Sequence, residues 1–191
     1  MSDRYIDFVN SPLGQLLAKN LGLPAPLTLD RFKPEAPVVK GAVLVGAAAG
    51  SDLTAAITQV LANIKAEVFA AADSSVHSLA SAAGLATVSY APAAEDGQKF
   101  KALVFDASGI SRSDDLKALH TFFSPVIRKL ASSARIIVIG RTPELCGNPK
   151  HATAQRALEG FTRAIGTEAK KGATAQVVYV APGADAGLES T

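Results

Sequence analysis

Short apolar runs alternate with amphipathic segments along most of the chain, beginning near residue 40. Six runs are apolar on both faces, which is typical of strands buried in a parallel sheet; they lie at 42–46, 66–71, 86–90, 101–108, 134–140 and 175–183. The segments between them repeat their apolar positions at helical spacing. They predict helices at 52–65, 74–84, 113–133 and 151–171, with Pro125 expected to kink the third.

This alternation predicts an α/β fold. Right-handed β-α-β connections place the strands in one parallel sheet with helices on both faces. We therefore predict a doubly wound sheet of about six strands, of the Rossmann or flavodoxin type, with strand order 3-2-1-4-5-6. The sixth strand is followed only by residues 184–191, without a covering helix. We expect the final strand of the complete fold to be missing and apolar side chains to be exposed beside the sixth strand.

The first 38 residues are expected to form a lead-in to this domain. Ser11 and Pro12 are typical of a helix start, because serine caps the first turn and proline suits the first helical position. The helix is expected to end at Gly22, and the chain after it is expected to form a proline-rich extended arm. Residues 39–191 then form the sheet domain.

Composition and charge exclude several classes of function. The 191 residues are 48% hydrophobic, which suits a compact domain and is too apolar for disorder. The net charge is +2 and the basic residues are scattered, so neither nucleic acid nor a membrane is an expected partner. Three scattered histidines and the single Cys146 give no metal-binding spacing and no internal disulfide. Because no signal peptide is recognisable, a cytoplasmic location is expected.

The turn after the first strand carries glycines that could face a phosphate. It reads VGAAAGSD, between a predicted strand and a predicted helix. Such a turn lets backbone amides and the helix N-terminus approach a pyrophosphate. Gly46 and Gly50 have the spacing of the first two glycines in Gly-x-x-x-Gly-x-Gly, but Asp52 stands at the third position. Its carboxylate is expected to cap the helix and to repel a phosphate, so a plain turn is favoured over a working cofactor site, and the glycines are vestigial.

The last helix and strand carry a stronger signal. The stretch ALEGFTRAIGTEAKKGATAQVVYVAPG resembles the short-chain dehydrogenase/reductase family, including its motif after this strand, matched by VAPG. In that family a Tyr-x-x-x-Lys pair heads this helix and a serine follows the preceding strand. The tyrosine protonates the carbonyl oxygen during hydride transfer, while the lysine lowers the tyrosine pKa and holds the cofactor ribose. Here the tyrosine position holds His151, the lysine position Gln155, and the serine position Arg141 or Thr142.

These departures leave two interpretations. Glutamine is neutral and cannot stabilise a tyrosinate, so in the first interpretation the site has lost the chemistry of the family. In the second, His151 acts as the acid, Arg141 holds an oxyanion and a nucleotide binds at Gly46 and Gly50, which makes the chain a self-sufficient oxidoreductase. Three replaced residues and an altered glycine turn together favour the first.

The first residues of the chain resemble a more specific group of proteins within this family. SDRYIDFVNSPLGQLLAKNLGLPAPLTLDRF, residues 2–32, resembles the opening of bacterial high-molecular-weight 3-oxoacyl-acyl-carrier-protein reductases. In those two-domain chains a flavodoxin-like, catalytically silent domain precedes a complete reductase domain. DASG at 106–109 stands where the family has Asn-Asn-Ala-Gly, and the stretch from there to Arg135 is short enough to lack one helix.

The resemblance implies a role without chemistry of its own. The domain would bind no cofactor, while a catalytic domain expected beyond Thr191 would use NADH or NADPH. The parent enzyme would reduce 3-oxoacyl thioesters of acyl-carrier protein or coenzyme A in fatty-acid metabolism. The expected partners are the chain's own downstream catalytic domain and a second copy in a homodimer, which this domain would support by packing.

Overall fold

The computed structural model describes residues 8–9, 11–21, 27, 29–31, 33–92 and 97–190. The chain divides into two compact units, residues 1–32 and 33–191. Within the first unit, helix α1 spans Pro12–Leu21, and the Ser11 Oγ accepts a hydrogen bond from the Gly14 amide at 3.1 Å. The helix start predicted from Ser11 and Pro12 is therefore confirmed, whereas its predicted end at Gly22 lies outside the described residues.

The second unit contains one parallel sheet of six strands in the order β3-β2-β1-β4-β5-β6. Its strands are β1 Ala42–Ala47, β2 Glu67–Ala70, β3 Thr87–Ser89, β4 Phe100–Asp106, β5 Leu130–Arg141 and β6 Thr174–Val180. The predicted strand order and the predicted doubly wound architecture are both confirmed. The strand order reverses between β1 and β4, which places a crevice at the carboxyl ends of these two strands.

Four helices of this unit cover the two faces of the sheet: α2 Thr54–Asn63, α3 Val76–Ala82, α4 Lys117–Phe123 and α5 Pro149–Glu168. Ile57 of α2 and Val76 of α3 belong to one buried apolar cluster. Phe123 of α4 and Leu158 of α5 belong to the other cluster. Each helix thus buries one apolar side against the sheet, as its periodicity predicts. In the described part of the chain, no helix has the length and apolar character needed to cross a membrane.

The segment 113–133 does not form the predicted kinked helix. A 3₁₀ turn at Ser113–Leu116 leads into α4, and α4 ends at Phe123, two residues before Pro125. Proline has no amide hydrogen to donate and crowds the preceding turn, so the helix stops rather than bends. Strand β5 begins earlier than predicted, and its first part is irregular: Ser133 has a φ of 52° and the pairing with β4 is interrupted.

The C-terminal residues are more ordered than predicted. A 3₁₀ segment spans Asp185–Ser190, with Leu188 buried in the apolar cluster that contains Ile57. The Asn63 side chain at the end of α2 donates a hydrogen bond to Glu189 at 2.9 Å. The expected exposed apolar patch on β6 is wrong, because this 3₁₀ segment packs on one side of the sheet and α5 packs on the other. Val177, Val178 and Tyr179 of β6 are accordingly half-buried.

Candidate functional site

An open cleft of about 1390 Å³ lies at the carboxyl edge of the sheet. It is lined by the turn after β1, by the loops after β2 and β4, by Arg141 at the end of β5 and by His151 of α5. The cleft includes the point where the strand order reverses, which is the usual ligand position in a doubly wound sheet. Of the predicted site residues, Gly46, Gly50, Arg141 and His151 line it, whereas Thr142 and the buried Gln155 do not.

A buried carboxylate occupies the start of α2. Asp106, the last residue of β4, is 0% exposed. One of its oxygens accepts hydrogen bonds from the Leu53 amide at 3.0 Å and the Thr54 hydroxyl at 2.7 Å. The other oxygen accepts from the Ser108 amide at 3.0 Å and the Ser108 hydroxyl at 2.6 Å. The protein itself thus supplies the anion that a helix N-terminus attracts.

The rest of the β1–α2 turn is also bonded internally. The Asp52 amide donates to the Ser108 hydroxyl at 2.9 Å, and the Ser51 amide donates to the Ala48 carbonyl at 3.2 Å. The Ser51 hydroxyl donates to the Asp106 carbonyl at 3.0 Å. Three consecutive amides, those of residues 51–53, therefore donate to acceptors inside the protein. A phosphate bound to them would have to displace these bonds.

The two candidate cofactor glycines have different roles in the structure. A Cβ on Gly46 would overlap the Phe122 ring, so the absence of a side chain allows α4 to pack closely on β1. Gly50 has a φ of 72°, a conformation that glycine adopts without strain, and a Cβ there would meet nothing within 4 Å. The structure thus gives Gly46 a packing role and Gly50 a turn role, and their vestigial cofactor role stays a prediction.

Gln155, at the family's lysine position, is wholly committed to holding the fold. It is 0% exposed. Its Oε1 accepts from the Arg141 amide at 2.8 Å, while its Nε2 donates to the carbonyls of Ala107 at 2.9 Å and Ile110 at 2.7 Å. This one side chain joins α5 to the ends of β4 and β5. A buried amide with all of its partners in place is a structural element, and it is not available to a ligand.

A tyrosine does lie beside α5, but it is not placed as a proton donor. The Tyr179 hydroxyl of β6 donates to the backbone carbonyl of Gln155 at 2.8 Å. Burial, reinforced by the nearby Glu159 carboxylate, raises the pKa of Tyr179 to about 12. A catalytic phenol needs a lowered pKa, so this environment works in the opposite direction.

Arg141, at the family's serine position, joins two carboxylates. Its Nε and one terminal nitrogen contact both oxygens of Asp52, at 3.2 and 2.9 Å. Its other terminal nitrogen contacts Asp185 at 2.7 Å and lies 3.4 Å from the Ala181 carbonyl. Burial lowers the pKa of Arg141, but its bonds and charge pairing with Asp185 and Asp52 raise that pKa overall. Arg141 lines the cleft, but every nitrogen of its guanidinium already has a partner in the protein, so its role as an oxyanion holder stays a prediction.

The expected cap at α2 requires a correction. Asp52 was expected to cap the helix, but no side-chain capping bond forms at the residue that precedes α2, Leu53. Asp106 accepts the Leu53 amide instead, and the Asp52 carboxylate turns to Arg141. Burial tends to raise the pKa of Asp52, but the bonds from Arg141 and Ser108 lower it below its ordinary value. An arginine cation is a stronger partner for an exposed carboxylate than a neutral amide.

His151, at the family's tyrosine position, lies in the first turn of α5. Its amide is capped by the Asn148 side chain at 2.9 Å. His151 is among the residues that line the cleft, and the buried Nε2 of its imidazole has no hydrogen-bond partner in the described part of the chain. Thr142, the other residue considered for the serine position, donates its amide to the Val180 carbonyl at 3.4 Å. Of the predicted chemical groups, only the imidazole of His151 keeps a buried polar atom without a partner among the described residues.

Three residues of the site were not recognised from the sequence: Asp106, Ser108 and Asp185. A signal for Asp106 was present, since an acidic residue at the end of a wholly apolar strand must find buried donors. The same signal indicates Ser108, because a serine two residues after Asp106 can donate to its carboxylate from both the amide and the hydroxyl. Nothing in the sequence indicated that Asp185 would pair with Arg141, because the pairing depends on how residues 181–190 fold back.

Comparison with known proteins supports the fold and no more. No family model matches the sequence, and no curated protein matches it. Solved structures do match. A short-chain dehydrogenase/reductase from Serratia marcescens BCRC 10948 is 20% identical, with a TM-score of 0.56 over 75% of each chain.

Two further solved structures are similar. A Burkholderia cenocepacia protein classed as a dehydrogenase, with bound NADP, is 16% identical with a TM-score of 0.54, over 78% of this chain and 72% of that chain. A dehydrogenase/reductase from Sinorhizobium meliloti 1021 is 18% identical with a TM-score of 0.55, over 75% of this chain and 73% of that chain. At these identities the likeness shows that this chain has the Rossmann-like fold of short-chain dehydrogenase/reductases.

Proposed function

We propose that this chain is a catalytically silent domain with the short-chain reductase fold, and that it is the N-terminal domain of a bacterial 3-oxoacyl-acyl-carrier-protein reductase. The observation that carries the proposal is the state of Gln155. It is neutral and fully buried, and its three hydrogen bonds all remain within the protein.

Carbonyl reduction needs a proton donor at the oxygen that hydride transfer leaves negative. In the resembling family a tyrosine beside a lysine cation supplies that proton. Gln155 offers neither a charge nor an unused hydrogen, because Nε2 gives its hydrogens to two backbone carbonyls. Arg141 is bound by Asp52 and Asp185 and offers no substitute. Without these groups, the chain lacks the electrostatic support that the reaction requires.

By this proposal, the catalytic work belongs to a downstream domain. That domain would use NADH or NADPH to reduce 3-oxoacyl thioesters of acyl-carrier protein or coenzyme A, while the present domain binds no cofactor. The resemblance of residues 2–32 supports this parentage. The present domain would support the enzyme by packing against its catalytic domain or against a second subunit.

The surface of α1 is consistent with a packing role. Leu13 and Leu16 are 66% and 60% exposed, and Leu17 is 39% exposed. Exposed apolar side chains that recur along one helix are typical of a surface that another protein element covers.

One observation favours the alternative, a self-sufficient oxidoreductase. The buried Nε2 of His151 has no partner within the described residues, and His151 is among the residues that line the cleft. In this alternative His151 would donate the proton by itself, because the Arg141 guanidinium is occupied by two carboxylates.

Turnover distinguishes the two. Purified chain is mixed with NADPH and a 3-oxoacyl thioester, and cofactor oxidation is followed by absorbance, with His151→Ala as the comparison variant. We expect no oxidation above the rate without protein, for either chain. Turnover by the wild type that is lost in His151→Ala would establish the alternative. The parentage is tested separately: the coding sequence downstream of residue 191 should contain a complete domain with Tyr-x-x-x-Lys.

A further inference from the structure

The two edges of the sheet are protected to different degrees. The strand order places β3 at one edge and β6 at the other. β3 is only three residues long, and a short edge strand offers little backbone to another chain. β6 has seven residues, TAQVVYV, without a charge or a proline, and it pairs with β5 without a break in register. β6 therefore lacks the features that usually prevent an edge strand from pairing with another molecule.

The part of β6 that remains open is its backbone edge, because its side chains are covered on both faces. Val177 and Tyr179 pack on the apolar cluster that contains Leu158 of α5. Val178 packs on the cluster that contains Leu188. In the described part of the chain, β6 pairs with β5 alone. The backbone groups that point away from β5 thus form a row of donors and acceptors that suits a further strand.

A groove of about 320 Å³ lies between α5 and β6. Glu159, Thr162 and Arg163 of α5 line one side of it, and residues 175–177 of β6 line the other. Thr162 is 6% exposed, and its hydroxyl oxygen has no hydrogen-bond partner among the described residues. A buried hydroxyl without a bond is costly. The groove is therefore suited to a second molecule that brings a polar group to this position.

The charges beside the groove suit a second copy of the same chain. Arg163 is 80% exposed and lies one helical turn after Glu159, which it contacts only at 3.4 Å. In a two-fold contact between two β6 strands, the strands run antiparallel, and so do the two α5 helices above them. Glu159 of each copy would then lie opposite Arg163 of the other. The uncharged β6 adds no repulsion to this arrangement.

We propose that β6 and α5 form a homodimer interface, in which the β6 strands of two copies pair antiparallel and join the two sheets into one. The inference deepens the proposed function and rests on it for the supporting role, since it names the surface through which a second subunit packs. Catalysis is measured by NADPH oxidation and association by mass, so either proposal can fail without the other.

The test is the mass of the purified chain in solution, measured by sedimentation equilibrium over a range of concentrations. Glu159→Arg places like charges opposite each other across the two-fold axis, and adding Arg163→Glu restores opposite charges in exchanged positions. Gln176→Lys puts a charge at an exposed position of β6. The matched control is Val88→Lys on the other edge strand, where Val88 is 48% exposed. Circular dichroism and a thermal melt report whether each variant is folded.

We expect the wild type to dimerise, and Glu159→Arg and Gln176→Lys each to weaken the dimer about tenfold or more, because symmetry makes each change act twice. The charge-exchanged double variant should recover most of the affinity, and the control should dimerise as the wild type does. A wild type that is monomeric at every concentration overturns the proposal. A dimer that the folded variants leave unchanged forms through another surface, such as α1, and also overturns it.

Hydrogen exchange of the unaltered chain tests the same surface if the variants are unfolded. We expect the outward-pointing amides of β6 to exchange about tenfold more slowly at high concentration than after dilution, while the amides of β3 do not change. Equal exchange of β6 at both concentrations overturns the proposal.

Discussion

The starts of α2 and α5 lie at the same edge of the sheet. Each is bonded to the protein interior through one buried polar side chain, and the two side chains differ in charge. At α2 a charged group is buried: the Asp106 carboxylate accepts four hydrogen bonds from the helix start and from Ser108. At α5 the buried group is neutral: Gln155 accepts one bond and donates two.

The local backbone explains the difference. A helix N-terminus carries positive partial charge and unpaired amides, so a carboxylate at α2 can be buried without a cation. Gln155 faces two carbonyl oxygens and one amide, a set that only a side-chain amide matches in full. A family resemblance would place a phosphate at the first helix start and a lysine at the second. In this chain both places are used to hold the fold together.

The largest expected effect comes from restoring the family's lysine with Gln155→Lys. The ammonium would be buried without a counter-ion, and the Arg141 amide would lose its acceptor. We expect a loss of about 3 kcal/mol or more in the free energy of unfolding, which lowers the melting midpoint by roughly 6–12 °C. Denaturant melts measure this, with Arg156→Lys on the exposed side of the same helix as the control. A Gln155→Lys chain as stable as the wild type would contradict the structural role of Gln155.

A smaller loss is expected for Asp106→Asn. The asparagine side chain keeps the shape, but its amide group is a donor that faces a backbone amide and a hydroxyl, so at least the bond from that backbone amide cannot form. We expect a loss of about 2 kcal/mol in the free energy of unfolding. The same melts measure it, with the exposed Asp114→Asn as the control. Equal effects at the two aspartates would show that the helix start does not depend on the buried carboxylate.

The packing role of Gly46 is tested with Gly46→Ala. The added Cβ would overlap the Phe122 ring, so a loss of about 1–2 kcal/mol is expected. Phe122→Leu made together with Gly46→Ala should recover part of that loss, because a smaller side chain leaves room. Additive losses in the double variant would mean that the glycine does not serve this contact.

The smallest effect concerns Asp52, whose pKa is lowered in the folded chain. A carboxylate with a lowered folded pKa stabilises the fold above its unfolded pKa, and this contribution is lost as the pH falls through the folded value. Since the pair is partly exposed, we expect about 0.5–1 kcal/mol from a double-mutant cycle of Asp52→Asn and Arg141→Met at neutral pH. The coupling should be present above the ordinary aspartate pKa and should be lost as the pH falls below it and through the lowered folded value. A coupling that persists in acid would show that the interaction is not an ion pair.

The sequence was sufficient to predict a parallel sheet covered by helices, because continuous apolar strands and amphipathic helices report burial directly. The strand order was taken from the usual doubly wound arrangement, and the structure has that order. The sequence was not sufficient at segment 113–133, where helical spacing continues past Pro125 although the helix stops before it. It indicated candidate positions for the site but not their partners, and it did not indicate Asp106, Ser108 or Asp185. Gln155 could be recognised as a replaced lysine, yet its bonds to Ala107 and Ile110 depend on contacts between residues far apart in the chain. The same holds for Arg141 with Asp52 and Asp185.

The central claim is that the polar groups at the catalytic positions serve the fold and not a cofactor. A crystal structure of the chain grown with saturating NADPH tests it most directly. We expect the three bonds of Gln155 to be intact, Arg141 to bridge Asp52 and Asp185, and no dinucleotide to cross the end of β4. A nicotinamide ring bound within contact distance of the His151 imidazole would contradict the account.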